Sequence, residues 1–124
     1  MPEKDLAPAF SRVCAAAEAA GLLGIEKSTW YGTPSLKVGQ KAILRIKDPD
    51  TLVLLLPMDE KEALMEAAPA IYYETMHYKG YAALLVRLPA IDDRELAHRL
   101  LQAWRHRAPR RLVAARDGDP TPRS

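Results

Sequence analysis

The sequence predicts an α+β two-layer sandwich, an antiparallel sheet with helices on one face, in the order α-β(3–4)-α-β(2)-α. Three observations lead there. Apolar residues recur at helical spacing near both ends of the chain and once in its middle, while short apolar and β-branched runs between them are separated by tight turn signals. Loops that short demand antiparallel neighbours within each hairpin. Finally, 124 residues suit one domain and hardly two, and three helices with one apolar stripe each would cover a single sheet face.

The first helix is expected from Leu6 to Ala20, with Asp5 as cap, Pro8 in its first turn and Gly21 just past its end. Leu6, Phe10, Val13, Cys14 and Ala17 form its stripe. Four strands follow, at Lys27–Tyr31, Ser35–Val38, Lys41–Lys47 and Thr51–Leu56. They are broken by Gly32-Thr33-Pro34, Gly39-Gln40 and Asp48-Pro49-Asp50, and Gly39-Gln40 suits a type II′ hairpin turn with the glycine first. A short helix then starts at Asp59, with Glu62 completing a capping box, and stops at Pro69. Ile71–Tyr78 and Tyr81–Leu88 read as a second hairpin about Lys79-Gly80. The last helix is capped by Asp92 with Glu95 in the box position, stapled by Ile91 onto Leu96, and ended by Pro109. Leu96, Leu100, Leu101 and Trp104 are its core face. One domain over residues 1–116 and a frayed tail over 117–124 are expected.

Composition narrows the function classes. Apolar content of 48% supports a packed core, and one cysteine excludes an internal disulfide framework or a cysteine-rich zinc site. The first residues lack the order of a secretory signal, and the longest apolar run, Leu52–Leu56, is far too short to span a bilayer. A cytoplasmic protein with no membrane partner is expected, as a monomer or weak dimer.

The net charge of +2 says little, but its distribution says more. Lys27, Lys37, Lys41, Arg45 and Lys47 occupy a stretch with no acid, and six arginines and two histidines lie between Leu96 and Arg116, again without one. If these segments fold together, a nearly neutral chain acquires one positive face.

Catalytic signals are weak. His77, His98 and His106 lack metal-motif spacing, Ser11, Ser28 and Ser35 sit in no nucleophile elbow, and no glycine loop cradles phosphate. Asp92 and Glu95 are explained by capping, and Cys14 by packing as a small hydrophobe. No enzyme, cofactor or metal is expected. Arg105, His106 and Arg107 either offset the negative end of the last helix dipole, which leaves Arg110 and Arg111 beyond Pro109 unexplained, or join those two in a phosphate-binding edge.

The stretch from Trp30 through Gly32-Thr33-Pro34 and Leu36-Lys37-Val38 to Gly39-Gln40-Lys41 resembles the signature of the MmcQ/YjbR family. His77-Tyr78-Lys79-Gly80-Tyr81 resembles that family's second block, and Trp104, Ala108-Pro109 and Arg110–Val113 its C-terminal end. Gln40 and Tyr31 are insertions relative to the usual pattern. The resemblance implies a secretion-chaperone-like fold and, by fold analogy, DNA binding.

Residue reasoning adds a candidate surface. Alternation puts Lys41, Arg45 and Lys47 on one outward sheet face, with Ala42, Leu44 and Ile46 under the helices. Pairing Val38 with Lys41 leaves apolar residues on that basic face too, unless a bulge at Gly39 changes the register. In the second hairpin, Tyr73, Leu84, Val86 and Leu88 would face the core, and Met76, Tyr78 and Tyr81 the other side. Cations beside exposed rings suit nucleic acid, so Trp30, Lys37, Lys41, Arg45, Lys47, Tyr78, Lys79, Tyr81, Arg110 and Arg111 are the candidate DNA-binding residues. A protein-interaction or chaperone-like surface uses similar groups and is the alternative. In a third arrangement Trp30 and the tyrosines fill a second small core.

Overall fold

A computed structural model describes residues 5–118 of the chain. Its elements are α1 (Ala7–Ala19), β1 (Ile25–Trp30), β2 (Thr33–Val38), β3 (Lys41–Asp48), β4 (Thr51–Leu55), α2 (Met58–Ala67), β5 (Tyr72–Tyr73), β6 (Ala83–Arg87), α3 (Asp93–Arg107) and α4 (Arg110–Arg116). Single 3₁₀ turns at Met76–Tyr78 and Leu88–Ala90 flank β6. The strands form one antiparallel sheet in the order β1-β2-β3-β4-β6-β5. This is the expected α+β architecture.

All four helices pack on one face of the sheet. Val13, Ala16 and Ala17 of α1 and Leu96, Leu100, Ala103 and Trp104 of α3 meet Leu36, Leu44, Ile46, Leu52, Leu54, Leu84 and Val86 in the main core. Trp104 is fully buried, and its indole N–H donates to the Leu23 carbonyl at 2.9 Å. Central β4 is apolar from Leu52 to Leu55 because it is covered twice: Leu52 and Leu54 point to the helices, Val53 and Leu55 to a small second cluster with Ala83, Leu85, Tyr73 and Tyr78.

Several local expectations hold. The Gly21 and Leu22 amides close the end of α1 on Glu18 and Ala17 in a Schellman arrangement, whereas Asp5 accepts the Ala7 amide at 3.0 Å from one residue before the N-cap, Leu6, and is not itself the cap. Asp92 caps α3 through the Glu95 amide at 2.7 Å. Glu95, however, turns away from the cap to accept the Tyr72 hydroxyl, to which Arg99 also donates at 3.1 Å. Burial, and then the Glu95 carboxylate, raise the Tyr72 hydroxyl well above the ordinary phenol range.

Other expectations are corrected. Val38 does pair with Lys41, but Gly39 (φ 57°) and Gln40 (φ 72°) are both left-handed, so the turn is type I′ rather than II′. Type I′ matches the strand twist well enough to hold glutamine where glycine is usual. The bulge lies at Ile43 and not at Gly39: Leu36 pairs with Leu44 but Lys37 with Ala42, which lets both Ile43 and Leu44 enter the core. A second irregularity falls at Lys47. The alternation of Lys41, Arg45 and Lys47 is therefore broken twice.

α2 begins directly after Pro57, so Asp59 is inside its first turn and accepts the adjacent Glu60 amide instead of capping. The second hairpin is shorter than expected. Tyr72 pairs with Val86 and Tyr73 with Leu85, which puts Tyr72 in the main core and Tyr73 on the opposite face. Tyr78 and Tyr81 do not pair as strand residues. They bracket a type II turn, closed by the Tyr81 amide on the Tyr78 carbonyl at 3.0 Å, with Gly80 at φ 82°. α4 was not anticipated, and of the expected tail only Asp117 and Gly118 fall within the described residues.

Candidate functional site

The face of the sheet away from the helices carries a hollow of about 420 Å³. Three separate segments wall it. The β1–β2 turn brings Trp30 and Tyr31, the segment before β6 brings His77, Tyr78 and Tyr81, and the last turn of α3 brings His106 and Arg107. Its floor is Arg45 of β3, Val53 and Leu55 of β4, and Ala83 of β6.

Register explains the floor. Trp30 pairs with Thr33 and Ser35 with Arg45, so these side chains share one face with Lys37 and, across β4, with Val53. Arg45 is fixed from two sides, donating to Thr33 Oγ1 and Tyr78 Oη, each at 3.1 Å. Its guanidinium lies 5.3 Å from the centroid of the Tyr31 ring, and Tyr31 stacks on Trp30 at 5.4 Å and 28°. His77 meets Tyr78 edge to face at 4.9 Å. Tyr31 is 78% exposed, Tyr81 64% and Met76 86%. The tyrosines thus divide: Tyr73 and Tyr78 pack in the second cluster, while Tyr31 and Tyr81 stand open at the rim.

Lys61 holds the far wall. Its side chain is fully buried, yet its ammonium donates to the Tyr78 carbonyl at 2.9 Å and the Tyr81 carbonyl at 2.7 Å, and pairs with Glu74 at 2.8 Å. These two carbonyls belong to a turn, so no ladder partner serves them, and three donors meet three acceptors. Lys61 was missed in the sequence. Its position on one stripe with Leu64, Met65 and Ala68 was the available signal, a cation where the helix period calls for an apolar residue.

The sequence-derived candidates fall into groups. Trp30, Arg45, Tyr78 and Tyr81 come together in the hollow. Lys37 shares that face, but its ammonium lies 3.8 Å from Glu26 and 3.5 Å from Gln40. Lys79 is exposed in the turn between Tyr78 and Tyr81. Lys41 falls on the helix-side parity at the hairpin end, and Lys47 is exposed at the second irregularity. Arg110 and Arg111 are exposed at the start of α4, whose Leu112 and Val113 pack into the main core. The α3–α4 junction does reach the β2–β3 hairpin: Arg107 Nε donates to the Ala42 carbonyl at 3.2 Å, and Pro109 sits against Gly39. Lys41, Arg107 and Arg110 therefore belong to the same end of the molecule.

The expectation of one continuous basic face thus reduces to a smaller cationic hollow. Tyr31, His77, His106 and Arg107 also line it, although they were not among the candidate DNA-binding residues. Among the described residues, none that lines it carries a carboxylate, and no cluster suited to a metal ion occurs. Arg105 is committed elsewhere, gripping Asp117 at 2.7 and 3.0 Å and holding that carboxyl below its usual range. No helix among the described residues is long and apolar enough to cross a membrane.

Comparison with known proteins adds a family and little else. The profile described as YjbR matches residues 20–106. Uncharacterized proteins of Mycobacterium bovis and Mycobacterium tuberculosis are 44% identical over 55 residues, which is 44% of this chain. The chain spans 43% of the length of these relatives. No solved structure matches.

Proposed function

The chain belongs to the YjbR family, and on that premise we propose that it is a non-enzymatic nucleic-acid-binding domain, for DNA, acting through the open face of its sheet. One observation carries this reading. The hollow joins Trp30, Tyr31, Tyr78 and Tyr81 to Arg45, Arg107, His77 and His106 without an intervening carboxylate. The Arg107 guanidinium can hold phosphate in forked geometry, Arg45 adds positive charge beneath it, and aromatic rings stack on any base. Lys41 and Arg110 at the neighbouring end of the sheet extend the positive potential along a bound strand. Among α-helices of the described residues, α3 contributes only its last turn, so groove reading by a recognition helix is not part of the proposal.

The test is fluorescence anisotropy of a labelled oligonucleotide between about 50 and 200 mM salt. Affinity should fall with a log–log slope of about −0.7 per phosphate contacted on a single strand, or −0.9 on duplex. Arg45→Gln and Arg107→Gln should each weaken binding and flatten that slope. Absence of binding at the lower salt, or salt-indifferent binding, contradicts the reading.

The exposed Met76, Tyr31 and Tyr81 favour a second reading, a polypeptide-binding surface on the same face. It requires salt-tolerant binding of a peptide, lost in Tyr81→Ala and untouched by Lys41→Glu.

A further inference from the structure

Resting on the nucleic-acid reading, we infer that the hollow is a seat for a single unpaired nucleotide, its base among the rings and its phosphate towards Arg107 and His106. The domain then prefers single strands, or bases extruded from a helix, to intact duplex.

Shape is the first argument. A concave space of about 420 Å³ lies within the range of sites that enclose one small molecule. A duplex is a convex rod whose bases have both faces stacked on neighbours, so it can touch the rim but cannot offer a ring face to the floor. An unpaired base can.

The arrangement of rings is the second. Trp30 and Tyr31 already form a stacked pair, and the exposed Tyr31 and Tyr81 rise from opposite walls, on the β1–β2 turn and the turn before β6. Both walls are set before any ligand arrives. Arg45 ties Thr33, in the first strand beyond one turn, to Tyr78 at the start of the other, and the buried Lys61 grips both ends of the Tyr78–Tyr81 turn. A preset cleft loses little further freedom when filled.

The third argument is chemical. The side chains around the hollow include no amide and no carboxylate, the groups that read the edges of adenine or cytosine. Arg45, which could read guanine, spends donors of both terminal nitrogens on Thr33 and Tyr78. What remains is stacking and charge, which every base and every phosphate satisfies. Arg107 commits its Nε to the Ala42 carbonyl, which aims the guanidinium while leaving its terminal nitrogens for an anion. The seat should be tolerant of base identity and strict about strandedness.

Four probes at one low salt concentration test this: oligo(dT) of about 12 nucleotides, a blunt duplex of equal length, dTMP and deoxyribose 5-phosphate. Oligo(dT) should bind at least about tenfold tighter than the duplex, and Tyr81→Ala should remove about tenfold of that affinity while hardly changing duplex binding. Oligo(dT) and dTMP should quench tryptophan emission, deoxyribose 5-phosphate should not, and Trp30→Phe should abolish the quench. Equal affinity for duplex and single strand with a steep salt dependence sinks the nucleotide seat and leaves the open-face reading intact. So does equal response to dTMP and the base-free phosphate alongside oligonucleotide binding. If neither oligonucleotide binds, both readings fall, and saturable binding of an acidic aromatic peptide in its place assigns the hollow to a polypeptide.

Discussion

Replacing Lys61 with methionine keeps most of the buried stem and deletes the ammonium, which isolates what the charge does. Three acceptors lose a donor: the Tyr81 carbonyl, the Glu74 carboxylate and the Tyr78 carbonyl, which alone keeps another, the Tyr81 amide. A buried polar group left unpaired costs about 1–3 kcal/mol, and breaking a fully buried ion pair about 3–5 kcal/mol. Glu74 is 26% exposed, so water relieves part of its penalty, and the turn can lift into solvent to rescue its carbonyls. The net cost should therefore be about 2–3 kcal/mol, a fall in Tm of roughly 6–15 °C for a chain of this size. Thermal and urea denaturation followed by far-UV circular dichroism measures it. Glu74→Gln leaves the fully buried ammonium without its counter-charge and should also destabilise, and the double variant should cost less than the sum of the two, because it alone leaves no lone charge behind. Oligonucleotide affinity should fall with the wall that carries Tyr78 and Tyr81. A Lys61→Met protein within about 0.5 kcal/mol of wild type, with undiminished binding, would refute the claim that this cation holds the wall.

Gln40→Gly should stabilise by about 0.5–1 kcal/mol, since the left-handed backbone at Gln40 strains any side chain more than glycine's extra entropy costs; a loss of stability in urea denaturation contradicts the type I′ turn. Trp104→Ala should cost about 3–5 kcal/mol by the same measurement, and Trp104→Phe less, although each leaves the Leu23 carbonyl without its indole donor. Burial raises the Cys14 thiol, with Lys27 pulling the other way, so at pH 8 its reaction with a disulfide reagent should be slower than in the urea-unfolded chain and slower still in Lys27→Gln. A folded-state rate equal to the unfolded one would show the thiol to be unperturbed.

Much of the scaffold was legible because its signals are local. Pro109 ends α3, Asp92 caps it, and the pairing of Val38 with Lys41 follows from a two-residue turn. The bulge was not legible where it falls, since Ile43 and Leu44 are both apolar and either could have faced the helices. α4 escaped notice because seven residues after a proline give barely two turns of periodicity. The Tyr78–Tyr81 segment alternated like a strand and carried a turn dipeptide, but the carbonyl demands of that turn, met by a lysine from α2, leave it off the ladder. In the site, Trp30, Arg45, Tyr78 and Tyr81 were found because rings and cations are conspicuous in short strands. His106 and Arg107 were left out of the candidates, because the dipole of α3 already accounted for them, and only tertiary structure carries that helix end to the hairpin.

The two indole N–H signals in a ¹H–¹⁵N spectrum offer a direct reading of which surface works. Trp30 lines the hollow, while Trp104 is fully buried under the helices with its proton on the Leu23 carbonyl. On titration with oligo(dT), the Trp30 signal should shift together with the amides of Tyr31, Arg45 and Tyr81, and the Trp104 signal should stay. Shifts confined to Arg110, Arg111 and the outer surface of α3, with Trp30 unmoved, would contradict nucleic-acid binding on the open face of the sheet.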